Sequence, residues 1–201
     1  MKKATISLIG ILLILGFSIT FFYSFYKKDL PKYGEPGHKI SSFSFINQNG
    51  KVVTDKDVAN KVRVIEYFFT TCKGICPKMN RNMLTVYKQF KGDPNVVILS
   101  HTVNPEVDSV PVLKKYSDSI GVLSQQWMFL TGDKKELYDV ARAQYLLTAG
   151  EFNDTNTPIE QDFIHTEKFA LVDKNDQIRG FYDGTNEKEI EKLISDIKQI
   201  N

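Results

Sequence analysis

The sequence is poor in the residues that staple or metallate small folds. It has two cysteines, three histidines and one tryptophan among 201 residues. Two cysteines in one short stretch exclude a disulfide-stapled scaffold, which needs four or more spread along the chain. They leave local chemistry: a redox pair or a clamp for a soft metal. An excess of one charge is missing too. Lys and Arg total 26 against 24 Asp and Glu, a net charge of +2. Both signs are mixed along the chain, so no nucleic-acid surface is indicated. Internal repeats and low-complexity tracts are absent. What remains is an ordinary globular composition, 42% hydrophobic and 25% charged, long enough for one domain with a full core plus an appendage.

The appendage is N-terminal. Lys2 and Lys3 precede an uncharged run from Ala4 to Tyr26, long enough to cross a bilayer as a helix. It ends in aromatics that suit a membrane interface, with no Ala-x-Ala cleavage signal, so it reads as an uncleaved anchor over 1–28. The absence of a cysteine before Cys72 excludes a lipid-modified cysteine in this stretch. The lysine balance, tipped by the terminal amine, puts the N-terminus in the cytoplasm and the body on the extracytoplasmic or periplasmic side of the cell (inner) membrane. Residues 29–38, with Pro31, Gly34, Pro36 and Gly37, read as a linker. The body is 39–201.

Within the body, residues 43–46 and 51–53 read as a hairpin turned at Asn49-Gly50. The β-branched and aromatic run 62–69 reads as a central strand. Pro77 opens a helix to about Phe90. Residues 95–100 form a second central strand that His101 ends, near the site or at a strand edge; Pro105 starts a helix to about Ile120, and 127–130 is a short strand. Asp133 caps a helix to about Tyr145. Residues 148–162 are a long polar loop, with acids Asp154, Glu160 and Asp162. Strands 168–172 and 178–182 form a hairpin, and Asn186 caps an amphipathic helix to Ile200 with Ile190, Leu193, Ile194 and Ile197 on one face. This order predicts an α/β, thioredoxin-like sandwich with an N-terminal hairpin.

Cys72-Lys-Gly-Ile-Cys76-Pro77 joins a central strand to a helix. Ligands and catalytic groups collect at the C-terminal ends of such strands, and a helix N-terminus favours thiolate. The spacing has three intervening residues where the thioredoxin redox motif has two. It still permits a disulfide, and it also lets both sulfurs meet one ion of a soft metal such as copper(I). Of the histidines, His38 falls in the linker, where it is expected to be solvated. His165 comes just before the strand at Lys168, where thioredoxins usually place a cis-proline. A histidine there turns the site from disulfide handling toward metal binding. Met79 and Met83, at i, i+4 after Cys76, read as core fillers.

These segments together resemble the Sco/SenC family of copper chaperones. The resemblance lies in the N-terminal anchor, the strand leading into Thr71-Cys72-x-x-x-Cys76-Pro77, and the segment from Ile98 to Asp108. It extends to His165 ahead of Phe169-Ala-Leu-Val-Asp173, and to the hairpin ending in Asp183-Gly184. It implies a thioredoxin-like fold, copper (Cu(I) or Cu(II)) bound by Cys72, Cys76 and His165, and a thiol reductant of the thioredoxin type. It also implies delivery to the binuclear site on the copper-bearing subunit of cytochrome c oxidase. The chain departs from the family in having Lys73-Gly74 for Pro-Asp, Asn104 for Asp before Pro105, and Ile164 before the histidine. A second reading is a thiol–disulfide oxidoreductase using Cys72, Cys76 and Glu66. Glu66 lies six residues before Cys72, the offset of a proton-transferring acid in thioredoxins. A buried carboxyl there has a raised pKa and can serve as a base; a Glu66 paired with Lys or Arg, or at the sheet edge, has no such role.

Overall fold

The computed structural model describes residues 29–147 and 166–201, together with Leu15, Gly16 and Ser18. The chain divides into two compact units, Met1–Pro31 and Lys32–Asn201. All but three residues of the expected anchor lie outside the described residues. Among those described, no helix is long and apolar enough to cross a membrane.

The second unit begins with a hairpin, β1 (Ser44–Asn47) and β2 (Val52–Thr54), followed by a 3-10 turn at Asp55–Val58. Gly50 makes the turn at φ +73°, a conformation open to glycine. Then come β3 (Val62–Phe68), α1 (Cys76–Gln89), β4 (Val96–Thr102), α2 (Val110–Ile120), β5 (Trp127–Thr131), α3 (Lys134–Asp139), β6 (Lys168–Val172), β7 (Ile178–Asp183) and α4 (Glu187–Ile200). The strands form one mixed sheet in the order β2-β1-β5-β4-β3-β6-β7. β3, β4 and β5 run parallel, and β6 is antiparallel to β3. This is the α/β sandwich with an N-terminal hairpin that the element order implies.

β3 and β4 are buried on both faces, as expected of parallel strands covered by helices. Side chains alternate between the faces. One face carries Ile65, Tyr67, Val97 and Leu99 into a core with Phe43, Phe45, Leu137, Tyr138 and Tyr145. The other carries Glu66 and Ser100 toward Trp127, whose ring lies 5.9 Å from Tyr87 of α1. Met79 and Met83 are buried in this second layer, as fillers should be.

Three local expectations need correction. The helix read from Pro105 begins at Val110, because Asp108 turns into the interior and bonds there; Pro111 occupies the first helical turn instead. His101 is the last residue but one of β4 and is fully buried, not at a strand edge. His38 is half-buried, with Nε2 2.8 Å from the Gln144 carbonyl oxygen. Its ring packs over Gly34, where an added Cβ would come within 2.6 Å of it. Tyr33 also bridges to Ile178 of β7, so the last part of the linker segment is tied to the sheet. In addition, the helix capped by Asp133 continues past Asp139 as a π turn, Val140–Gln144, closed by Tyr145 N–H to the Val140 carbonyl.

Candidate metal centre

The end of β3 delivers the chain to the cysteines. Val103 N–H donates to the Phe68 carbonyl, extending the β3–β4 pairing by one rung. Thr70 is then held by Asp108, a fully buried carboxylate. Asp108 accepts from the Thr70 amide at 3.1 Å, from the Thr70 hydroxyl, and from the Thr102 hydroxyl at 2.5 Å. A carboxylate with several charge-assisted donors is a strong clamp, each bond contributing about 1.5–3 kcal/mol. It fixes the strand ends from which the cysteine loop departs.

The loop folds back on the start of α1. Ile75 is the N-cap residue and has no capping side chain, and Pro77 lies in the first turn. The Lys78 amide, which an N-cap side chain would otherwise engage, donates to the Ile75 carbonyl at 2.9 Å, and the amides that face sulfur are those at the helix entrance itself. Burial alone would raise the Cys72 thiol. Hydrogen bonds from the Cys76 side chain and from the backbone amides of Cys76, Gly74 and Ile75 outweigh that and carry it below its ordinary value. Cys76 behaves oppositely. Burial, its bond with Cys72 and the nearby Cys72 and Glu66 charges push it up to about 12, against the lowering effect of a bond from the Phe69 backbone. Both thiols are free, Cys72 partly exposed and Cys76 buried. The pair therefore consists of one thiol drawn toward the thiolate and one held toward its protonated form.

The two sulfurs border a cavity of about 360 Å³, whose lining also includes Tyr67, Phe69, Ile75 and Thr166. Thr166 is the residue after His165. The segment it belongs to is pinned to the cysteine helix: Gly184 N–H donates to the Glu167 carbonyl at 2.6 Å, and Asn82 of α1 donates to the Gly184 carbonyl at 2.8 Å. Gly184 must be glycine, since a Cβ would lie 2.7 Å from the Phe169 ring. His165 itself, with Pro158 and the acids Asp154, Glu160 and Asp162, lies outside the described residues. Among the described residues, no group of three His, Cys, Asp or Glu side chains is arranged to hold a metal.

Glu66 is fully buried in β3. One oxygen accepts from the Ser100 hydroxyl, which in turn accepts from Trp127 Nε1–H at 2.7 Å. Among the described residues, the other oxygen has no hydrogen-bond partner. β3 lies inside the sheet, and among the described residues no cation pairs with Glu66. Burial raises its pKa to about 7, with the Ser100 bond pulling the other way.

The clamp residues Thr70, Thr102 and Asp108 were not singled out in the sequence. Asp108 sat inside a segment read as helix, where an acid is ordinarily a solvated surface residue. The signal that would have found it is Pro111, a better first-turn proline than Pro105, which leaves Asp108 in the preceding loop.

The chain is similar to known proteins. The SCO1/SenC family profile matches residues 31–201. The SCO1 protein homolog of Bacillus subtilis (strain 168) is 29% identical over 163 residues, spanning 80% of this chain and 82% of that protein. The solved structure of BsSco, a member of the Sco family of cytochrome c oxidase assembly proteins in which a disulfide switch is identified, is 28% identical. It aligns over 86% of this chain and 96% of its own with a TM-score of 0.68. ScoI from Bradyrhizobium japonicum, solved with copper bound, is 24% identical and shares the fold at a TM-score of 0.63, over 82% of this chain and 100% of its own. The fold is thioredoxin-like, and the chain belongs to the SCO1/SenC family.

Proposed function

We propose that this protein is a membrane-anchored, extracytoplasmic copper carrier, in which Cys72, Cys76 and His165 bind one copper ion for delivery to the binuclear copper site of cytochrome c oxidase. Copper here is cargo. The observation that carries the reading is the pair of free thiols of unequal acidity at a helix entrance, in a cavity that Thr166 also lines. His165 directly precedes Thr166 in the sequence, which is why it is the third ligand in this reading. Two thiolates and an imidazole form a donor set suited to copper. Loading displaces the Cys76 proton, so affinity falls as pH falls. Residues 1–28 serve as the anchor and 29–38 as the tether. A dithiol reductant of the thioredoxin type opens any Cys72–Cys76 disulfide before loading.

The test is copper binding by the reduced full chain, followed by chelator competition and, for Cu(II), by thiolate-to-metal charge-transfer absorption. His165→Ala should weaken binding by at least about the hundredfold that losing an outer-shell partner can cost. A variant that binds as tightly as the parent rules His165 out as a ligand.

Glu66 favours a second, compatible reading, thiol–disulfide exchange. Its buried carboxyl titrates near neutrality, and its charge bears on Cys76, so it can give or take the Cys76 proton as the disulfide opens or closes. Partner-disulfide reduction that falls in Glu66→Gln and is indifferent to His165→Ala would place exchange ahead of transport. Loss with His165→Ala alone would do the reverse.

A further inference from the structure

The helix that carries Cys76 has an unusual surface. From Lys73 to Lys91 the chain holds five cations, Lys73, Lys78, Arg81, Lys88 and Lys91, and no acid. All five are exposed. Among the described residues, the ion pairs all lie elsewhere. With a net charge of +2 on the whole chain, the rest of the sequence is net acidic. At 100° per residue, Lys78, Arg81 and Lys88 fall within an arc of about 80° and run about 15 Å along α1. Lys73 lines the cysteine cavity at one end of this stripe. Beside it Ile75, 41% exposed, offers an apolar contact.

Helix stability does not account for the pattern. The first turn of α1 contains no acid, and Lys78 stands there against the positive end of the helix dipole. α4 of the same protein follows the stabilising order, with Glu187 and Glu189 in its first turn and Lys198 in its last. A solvated helix normally mixes signs at i, i+4, and α1 does not.

We propose that the exposed face of α1 is a docking rail for the acidic surface of the protein that exchanges metal or electrons at the cysteines. This deepens the functional reading above and rests on it. A partner must bring its own donor atom into the cavity beside Lys73, so the rail and the reacting sulfurs have to be covered together. An acidic protein face with a projecting donor satisfies both. A flat anionic bilayer lying on the same stripe would close the cavity mouth against any protein partner. A single-sign stripe steers an oppositely charged partner and screens out a like-charged one, with an effect that salt abolishes.

The experiment uses the reduced, copper-free full chain in nonionic detergent. Two peptides carry the same thionitrobenzoate-activated disulfide, one flanked by glutamates and the other by lysines. Cys72 thiolate attacks the peptide sulfur, the protein–peptide disulfide forms, and thionitrobenzoate leaves with the electron pair and is read by absorbance. At low salt the acidic peptide should react about tenfold faster. At about 0.5 M salt, where charges are screened beyond a few ångströms, the two rates should converge. Arg81→Glu with Lys88→Glu, neither of which lines the cysteine cavity, should remove most of the preference while leaving alkylation by neutral iodoacetamide unchanged. Equal peptide rates in the parent would overturn the rail, as would a preference undiminished by the double substitution. Reconstitution through the anchor into vesicles with or without phosphatidylglycerol provides the remaining arm: stripe-dependent shielding of Cys72 from iodoacetamide in phosphatidylglycerol vesicles, with no stripe-dependent peptide preference in detergent, would make the face a membrane contact. None of these readouts involves copper, so failure of copper binding shows separately.

Discussion

Glu66 and His101 sit one residue apart in the register of the two central strands, on opposite faces of the sheet. Glu66 pairs with Ser100 across β3 and β4, and Tyr67 pairs with His101. Both titratable groups are fully buried, and burial pushes both toward the uncharged form, Glu66 up to about 7 and His101 down to about 3. Their surroundings differ. Glu66 has Ser100 and Trp127 for polar neighbours and the cysteines within range of its charge. His101 stacks on Tyr67 at 5.0 Å, with Phe45 and Tyr145 edge-on at 5.4 Å. Neutrality by burial is therefore common to both faces. Only the face behind the cysteines keeps its group near a pH at which protons move.

The comparison can be broken from either side. The largest effect belongs to His101. Its folded pKa is depressed, so the unfolded chain takes up a proton below pH 6.5 that the folded chain refuses. The associated stability is complete above pH 6.5 and is lost progressively as pH falls toward 3. At one pKa unit to 1.36 kcal/mol, the loss reaches about 4 kcal/mol by pH 3.5. Urea midpoints across that range should show His101→Phe losing less than the parent by about this amount. Equal acid sensitivity would mean that His101 charges in place.

Glu66 has the opposite sign. Its folded pKa is raised, so the folded state keeps a proton that the unfolded state releases above about 4.5. Stability falls as pH climbs from there to about 7 and is level beyond. Glu66→Gln should remove that slope and be about 3 kcal/mol more stable than the parent at pH 8. A variant with the parent's pH profile would show that the carboxyl is ionised and compensated.

Two smaller substitutions sharpen the contrast. Trp127→Phe deletes the indole donor to Ser100 and should cost about 1 kcal/mol in denaturant unfolding. It should also shift the Glu66 titration seen by carboxyl-labelled NMR. Tyr67→Phe deletes the hydroxyl bond to the Leu137 carbonyl, at 2.9 Å, for about 1 kcal/mol or slightly less. Because the ring stack survives, the acid limb assigned to His101 should be unchanged.

Much of this architecture is written locally. The hairpin follows from Asn49-Gly50, the central strands from two runs of β-branched residues, and the Asp133 and Asn186 caps from side chains that do bond the first-turn amides. The cysteine loop was equally plain, because a strand, two thiols and a proline adjoin in sequence. What escaped depends on distance along the chain. Thr70 meets Asp108 across 38 positions, and Gly184 meets Asn82 across 102; no local pattern encodes either contact. The burial of His101 escaped for a related reason, since a polar residue at an apparent strand end reads as exposed until the aromatic residues from other elements close over it.

The unequal thiols have a consequence for oxidative damage. A peroxide arriving from solvent meets the partly exposed, acidified Cys72 before the enclosed Cys76. The sulfenic acid formed there already has a second sulfur at hydrogen-bonding range, and the two condense with loss of water instead of waiting for further oxidant. The loop thus diverts an irreversible lesion into a bond that any cellular dithiol can undo.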